Sequence, residues 1–594
     1  MNSAGILHPG FLHSAFPVAA VRLAARGQGE RVCRALLWLA VGVYVVAFTG
    51  LTFRLYDRFA TMSYDLAIFD QAAWLISRGH GPFDPVFVTV RGLPLLADHF
   101  SLVIYLLAPL YWIWPSAKML LLAQTLALAL GALPLYALAR KRLGSAPWAL
   151  LLAVAYLLYP ALQWSGTYEF HPDTFATPLL LAAFWFLEGR RWGPYLLCLA
   201  LALATKETVG LTVLAVGVFA LRTDRRMGWA TLALGTGGLV VALLTVRAFN
   251  HGAPSAFFAL YGPDGAGPGS LLRMALTHPL AFGGRLATVG NGVYVFQLLY
   301  PLAFLPFLAP EVLALALPAL LLNLLSARPV MHTIQHQYTA LLTPLLLLAA
   351  LAGAERARRW GNRWTPMLLA GVIVAGLASA GDQGPLVAGR QWLAAGLPAA
   401  AIPETNGLLG EIPAGASVSA SVGLLAHLDH RRRVYAFPNP FQSVAFGPGA
   451  RALRQMEYRD YSPKSWAALQ TSLAAGPVEY VALAPSASTF PVAPDKYPAF
   501  VVALLHSPAY GIVLLGPKAM LLRRGADHVQ GLKVLSARSG IALPVSLPAG
   551  VKADGGVGER RALGRAIKNW LAGASSAQAS SGAPCGCSLR SPAL

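Results

Sequence analysis

The uncharged stretch ALLWLAVGVYVVAFTGLTF, residues 35–53, decides the fold class. About 20 predominantly apolar residues suffice for a helix to cross a bilayer core. Arg31 and Arg34 stand directly before the stretch, and no persuasive small-residue cleavage site follows it. It reads as an uncleaved anchor and not as a removed signal peptide. Similar runs recur along the chain. Of its 594 residues, 56% are hydrophobic and 12% charged, about half the charge of an ordinary soluble domain. The class that follows is a polytopic α-helical membrane protein. The formal charge of +21 does not point to nucleic acid. Its basic residues sit in short clusters between apolar runs, as topology determinants do, and no nucleic-acid-binding motif is present. Cys33, Cys198, Cys585 and Cys587 are too few and too scattered for a disulfide framework. The last two lie in a Ser-, Ala- and Gly-rich tail and make a poor metal site.

Five basic clusters fix the expected sidedness: Arg31/Arg34, Arg140-Lys141-Arg142, Arg190-Arg191, Arg222 with Arg225-Arg226, and Arg356 through Arg363. Placing all five in the cytoplasm gives a consistent path of about eleven spans. These lie near 35–54, 117–139, 147–163, 174–188, a hairpin of two short helices over 192–221, 228–247, 291–308, 310–326, 338–353 and 365–380. The piece 101–114 is short for a span, and a full crossing there would put Arg140 to Arg142 outside. The expected division is therefore a cytoplasmic N-terminus (1–34), a multi-span domain (35–380) with a large first outer loop (55–116), an extracytoplasmic segment (381–530) and a low-complexity, mostly disordered tail (531–594), with a short basic helix over 559–572. The chain is expected in the bacterial plasma membrane. Beyond 381 the apolar runs shorten to strand length at 417–420, 433–437, 478–483 and 512–515, with a helical pattern from Gly423 to Leu428. Strand, helix and strand with turn residues between them read as a small α/β domain.

In this topology several polar groups share the non-cytoplasmic face. Carboxylates beside a bilayer are costly unless they face water, a partner or a reaction. Asp65 and Asp70 lie just after the first span, five residues apart, so on a helix they point about 140° apart. Asp98-His99 lies where the chain returns to the membrane. Glu169, His171 and Asp173 alternate at the end of a span, a set that could ligate a divalent cation such as Mg or Mn, although its spacing matches no standard zinc site. Lys206-Glu207 sits at the tip of the short hairpin, where a lysine neutralises a carboxylate or a ligand phosphate. His332, Gln335, His336, Gln337 and Tyr338 form a last cluster, with Arg328 nearby. Each group also has a plain structural reading: a helix cap, a satisfied histidine or a salt bridge.

The run Tyr64 to Gln71, with Trp74, Gly79, His99, Ala108-Pro109-Leu110-Tyr111, Gln124, Tyr159-Pro160, Phe170-His171-Pro172, Lys206-Glu207, Gln335-His336-Gln337-Tyr338 and Ile412-Pro413…Ser417-Val418, resembles an uncharacterised family of bacterial multi-span membrane proteins over roughly 35–525. More distantly the layout is similar to the GT-C superfamily of membrane glycosyltransferases, and Asp65 followed by Gly79 resembles the first-loop pattern of its protein O-mannosyltransferase and aminoarabinose transferase branch. Leu66 stands where many members carry a second acid, which argues against a paired-acid metal site there. The GT-C-like resemblance implies a sugar donor linked to a polyprenyl phosphate, an extracytoplasmic acceptor hydroxyl, and an acidic residue, Asp65, as general base with Asp70 supporting the loop. An acceptor hydroxyl must lose its proton as it attacks, and the anionic leaving group needs cations, for which Lys206, His99 and His171 are the candidates. Glu169, Glu207 and His336 complete the expected substrate-binding set. Two other classes stay open: a transporter or lipid flippase of the cell envelope, and a non-enzymatic envelope assembly protein. No internal repeat of the transporter kind is visible.

Overall fold

The computed structural model describes residues 15–79, 87–90, 92–261, 267–359, 364–387, 396–441, 466–484 and 497–526 apart from 498–499, 502–503, 505–506, 508 and 517. The expected disordered tail, with its basic helix and Cys585 and Cys587, lies outside the described residues. The long first helix, α1 (Ala15–Asp57), contains the opening stretch. One stripe of it, Leu37, Val41, Tyr44, Phe48, Leu51 and Leu55, is buried, while Leu36, Leu39, Val43 and Val46 are apolar and exposed. A helix apolar on all sides, packed on one of them, is suited to lipid on the other.

The chain is mainly helical. Four helices are long and apolar enough to cross a membrane: Gln28–Asp57, Ala117–Leu143, Arg225–Phe249 and Pro366–Val387. The pair Ala146–Leu158 and Pro160–Thr167, bent by 46°, would make a fifth. Among the described residues this is fewer than the expected eleven. Most of the other expected spans are helical but short or broken, whereas Leu342–Arg359 runs unbroken over 18 residues and ends in the charged stretch Glu355 to Arg359. Trp192–Leu203 and Val209–Ala220 have 12 residues each, about 18 Å at the helical rise against a core of about 30 Å. Residues 310–324 change between α and 3-10 geometry, with Pro310 and Pro318 in the first turns of their helices. Residues 103–112 form a short helix and a 3-10 turn, and Trp112 and Ile113 are exposed there. Packing between helices is close. A Cβ on Gly131 would sit 2.3 Å from the Tyr156 hydroxyl, which donates 2.6 Å to the Leu128 carbonyl.

Ion pairs gather the basic clusters at one end of the bundle. Arg140 meets Glu30 at 2.7 Å, Arg142 pairs with Glu188, and Arg356 meets Glu311 at 2.6 Å. Lys118, at the other end of the Ala117–Leu143 unit, meets Asp57 at 2.7 Å. Successive helices therefore alternate between a basic end and a second end that carries residues 57–65, 167–173 and 204–208.

Helix α2 (Tyr64–Ser77) follows α1, and a two-residue pairing, β1 (Phe87–Val88) with β2 (Leu93–Pro94), lies beyond it. Near the C-terminus a mixed sheet has the order β4-β3-β5-β7-β6. Its strands are β3 (Val418–Ala420), β4 (Val434–Ala436), β5 (Tyr480–Leu483), β6 (Tyr510–Leu515) and β7 (Met520–Arg524). The pairs β3–β4 and β3–β5 are parallel, and β5–β7 and β6–β7 antiparallel. Four of the five coincide with the expected strand-length runs, and a 3-10 segment, Val422–His427, takes the place of the short helix. β7 was not expected, because MLLRR is too short an apolar run to declare itself. Alternation splits the two faces. Ala482 and Leu521 join a core shared with Leu66, Ala67 and Ala72 of α2, whereas Val481, Leu483 and Leu522 pack with Leu473 and Val501 on the other face. The sheet thus buries one face against the helix that carries Asp65.

Candidate functional site

Residue Gln124 organises the site from inside an apolar helix. Fully buried, it donates to the carbonyls of Gly166 (3.2 Å) and Glu169 (2.8 Å). Its Oε1 accepts from the His171 N–H at 2.8 Å and the Thr174 hydroxyl at 3.1 Å. A buried amide must find such partners, and these fix the turn over residues 166–174. Its sequence signal is a lone amide in the run LLLAQTLALAL.

From that turn three side chains go separate ways. Glu169, held at φ 53°, accepts from the backbone N–H groups of Asp65 (2.9 Å) and Leu66 (3.1 Å). It caps the first turn of α2, where N–H groups lack helical partners. His171 Nε2 meets Asp65 Oδ2 at 3.2 Å, and its Nδ1 meets the Tyr168 carbonyl at 3.1 Å. The ring thus bridges the Asp65 carboxyl and the backbone of its own turn. Asp173 Oδ2 meets Lys206 Nζ at 3.0 Å. The three do not converge on one point, which removes the geometric basis for a cation held by Glu169, His171 and Asp173. The alternating pattern misleads because this turn is neither strand nor α-helix.

The hairpin tip completes the wall. Glu207 accepts from His99 Nδ1 at 2.9 Å and from the Phe100 N–H at 3.1 Å. Burial works against the charge on Glu207, but His99 and then Lys206 hold its carboxyl down, to about 2. Burial likewise opposes the charge on Lys206, and Asp173 and Glu207 outweigh it, so the ammonium is held above its ordinary value. His336 is pushed down to about 3 by burial, then by Arg328 and His171, so its ring is neutral. It bonds the Thr333 hydroxyl at 2.9 Å and lies edge-on to Tyr168. Arg328 donates to the Tyr338 hydroxyl at 3.0 Å.

These groups line one cavity of about 480 Å³, bounded by Asp65, Asp98, His99, His171, Asp173, Lys206, Glu207, Arg328 and His336. Leu211, Leu239, Leu243 and Leu322, from the apolar helices Val209–Ala220, Arg225–Phe249 and Leu317–Leu324, add an apolar part to its wall. The volume is that of a small-molecule site. Of the expected site residues, Glu169 stands behind the wall as the cap of α2. Asp70 points the other way, as five residues of helix dictate. It is 1% exposed, accepts from the Tyr111 hydroxyl and meets His430 Nε2 at 3.3 Å. Asp70 therefore does not share the cavity with Asp65.

Burial, then the charge of Asp65, pushes the Glu169 carboxyl up to about 8. A carboxyl whose pKa is raised on folding binds protons more tightly in the native state. Stability therefore falls as pH rises from about 4.5 to 8 and levels off above that. Glu169→Gln removes the titrating group while keeping an acceptor for the two N–H groups. Thermal unfolding between pH 5 and 8 should decline less steeply in the variant, and parallel wild-type and variant curves would contradict this.

The family profile described as "Predicted membrane protein (DUF2079)" matches residues 55–461. The fold is similar to ArnT from Cupriavidus metallidurans in the apo state, with TM-score 0.48 and 14% identity over 83% of this chain and 98% of that one. The same protein bound to undecaprenyl phosphate gives TM-score 0.46 and 14% identity, covering 82% and 98%. The Archaeoglobus fulgidus oligosaccharyltransferase in complex with Zn and sulfate gives 0.44 and 14%, covering 82% and 73%. No curated protein matches the sequence.

Proposed function

This chain belongs to the DUF2079 family of predicted membrane proteins, and from that premise we propose that it is a membrane glycosyltransferase using a polyprenyl-phosphate-linked sugar. The reading rests on one observation. A single cavity joins a carboxylate with an imidazole partner and two cationic side chains to an apolar wall drawn from membrane helices. A ligand with an anionic head and a lipid tail fits such a chamber. The acceptor hydroxyl gives its proton to Asp65 as its oxygen bonds to the anomeric carbon, and the bond from that carbon to the phosphate oxygen breaks. The lipid phosphate leaves as an anion facing Lys206 and Arg328. His171 orients Asp65. The site faces away from the cytoplasm, because the basic clusters mark the opposite end of the bundle.

The test is transfer by the purified full-length protein from a panel of polyprenyl-phosphate sugars, read as released polyprenyl phosphate and glycosylated acceptor. Donor-dependent turnover is expected, and absence of both release and lipid binding across the panel would overturn the reading. An impermeant thiol reagent on intact cells checks the side: in a background with Cys33, Cys198, Cys585 and Cys587 replaced by serine, Gly92→Cys should label and Arg190→Cys should not.

A further inference from the structure

A second polar cluster lies on the far side of α2, outside the cavity. Asp70 and Asp429 are each 1% exposed. The two carboxyl groups face one another, and in each the buried Oδ2 receives no hydrogen bond from any other group. One ligand atom from each of Asp70, Asp429 and His430 lies within 4.8 Å of the other two. Two buried carboxylates this close do not both stay charged without a cation or a shared proton. The nearby Arg431 directs its donors to the carbonyls of Leu428, Pro413 and Ala416. His430 is partly exposed, with 30% of its side chain open, which gives an ion a way in. The cluster also has a supporting shell: the Tyr111 hydroxyl on Asp70 and the Trp74 ring stacked on His430 at 5.8 Å.

We propose that Asp70, Asp429 and His430 form a divalent metal site that ties helix α2 to the turn between β3 and β4. Two carboxylates and one imidazole suit a first-row ion of the zinc or manganese kind. Asp70 lies on the same helix as Asp65, so the ion fixes the rotation of α2 and with it the carboxylate that faces the cavity. Gln71 reinforces the same joint, donating 2.9 Å to the Arg431 carbonyl. The site is structural and positioning. It stands whether or not Asp65 is a catalytic base.

The experiment strips the full-length protein with a chelator, dialyses it against limiting zinc or manganese, and measures bound metal and thermal unfolding. One equivalent per chain and a metal-dependent rise in Tm are expected for the wild type. Asp429→Asn keeps the shape of the side chain but should bind the metal at least about a hundredfold more weakly, since even supporting residues of metal sites cost 10- to 100-fold. If that variant fails to fold, His430→Gln, at the open edge, carries the test with the same expected loss. A wild type that holds less than about a tenth of an equivalent overturns the proposal, as does metal retained in the variants. Asp429→Asn stabilising the metal-free protein, with no metal effect on the wild type, would instead mean a proton shared by the two carboxylates, and would also overturn it.

Discussion

Asp65→Asn should insert, fold and bind lipid phosphate like the wild type, and lose about a hundredfold to ten-thousandfold of transfer rate, the usual cost of removing a general base. Asparagine keeps the shape of the side chain but cannot take a proton from the acceptor. Helix α2 is held independently of that carboxylate, through the Glu169 cap on its first turn and through a core shared with the sheet, so the variant isolates chemistry from architecture. His171→Gln makes the companion measurement. Glutamine retains one donor for Asp65 but loses the ring that also reaches the Tyr168 carbonyl, so the carboxylate is positioned less firmly and turnover should fall by less than in Asp65→Asn. A transfer assay with Asp65→Asn near wild-type turnover would sink the carboxylate mechanism at this position. Asp98, which lines the same cavity, would then be the residue to examine.

How much of this could be read in advance follows from which forces act locally. The apolar runs and basic clusters predict a multi-span helical protein, because bilayer length and charge sidedness act on each segment separately. They also predict that Asp65, His99, His171 and Lys206 lie at helix ends on one side, and the cavity brings these four together. Helical geometry alone separates Asp65 from Asp70. The partners of Asp70 could not be read, because Asp429 and His430 lie about 360 residues away and meet it only once the sheet has packed on α2. Gln124 escaped notice for a related reason. One amide in an apolar helix gives no sign that a turn 42 to 50 residues later will need its hydrogen bonds. Helix continuity was overestimated where Pro160, Pro301, Pro306 and Pro318 fall inside apolar stretches, because hydropathy counts a residue as membrane-compatible without asking whether the helix continues through it. β7 stayed hidden because its pairing with β5 and β6, and not its composition, makes it a strand.

Breaking the Lys206–Asp173 pair separates the structural from the functional reading of the cavity. The side chains are 15% and 8% exposed and 3.0 Å apart, so solvent screens them little. Asp173→Ala leaves an ammonium buried without that carboxylate, a change that costs about 3–5 kcal/mol against a total stability of about 5–15 kcal/mol. Thermal unfolding in detergent should therefore show a large fall in Tm, and a cost below about 1 kcal/mol would mean that water already reaches the pair. The double variant Lys206→Met with Asp173→Leu has no unpaired charge, and replacing a buried pair with apolar residues of similar volume is often neutral or stabilising. It should recover most of the lost stability. Its ligand binding then decides the issue, because the fold is no longer in question. If Lys206 receives the phosphate, the stable double variant binds polyprenyl phosphate much more weakly than the wild type. If the pair only holds the hairpin tip against the turn over residues 166–174, the double variant binds lipid phosphate as the wild type does, and Arg328 becomes the side chain that meets the leaving group.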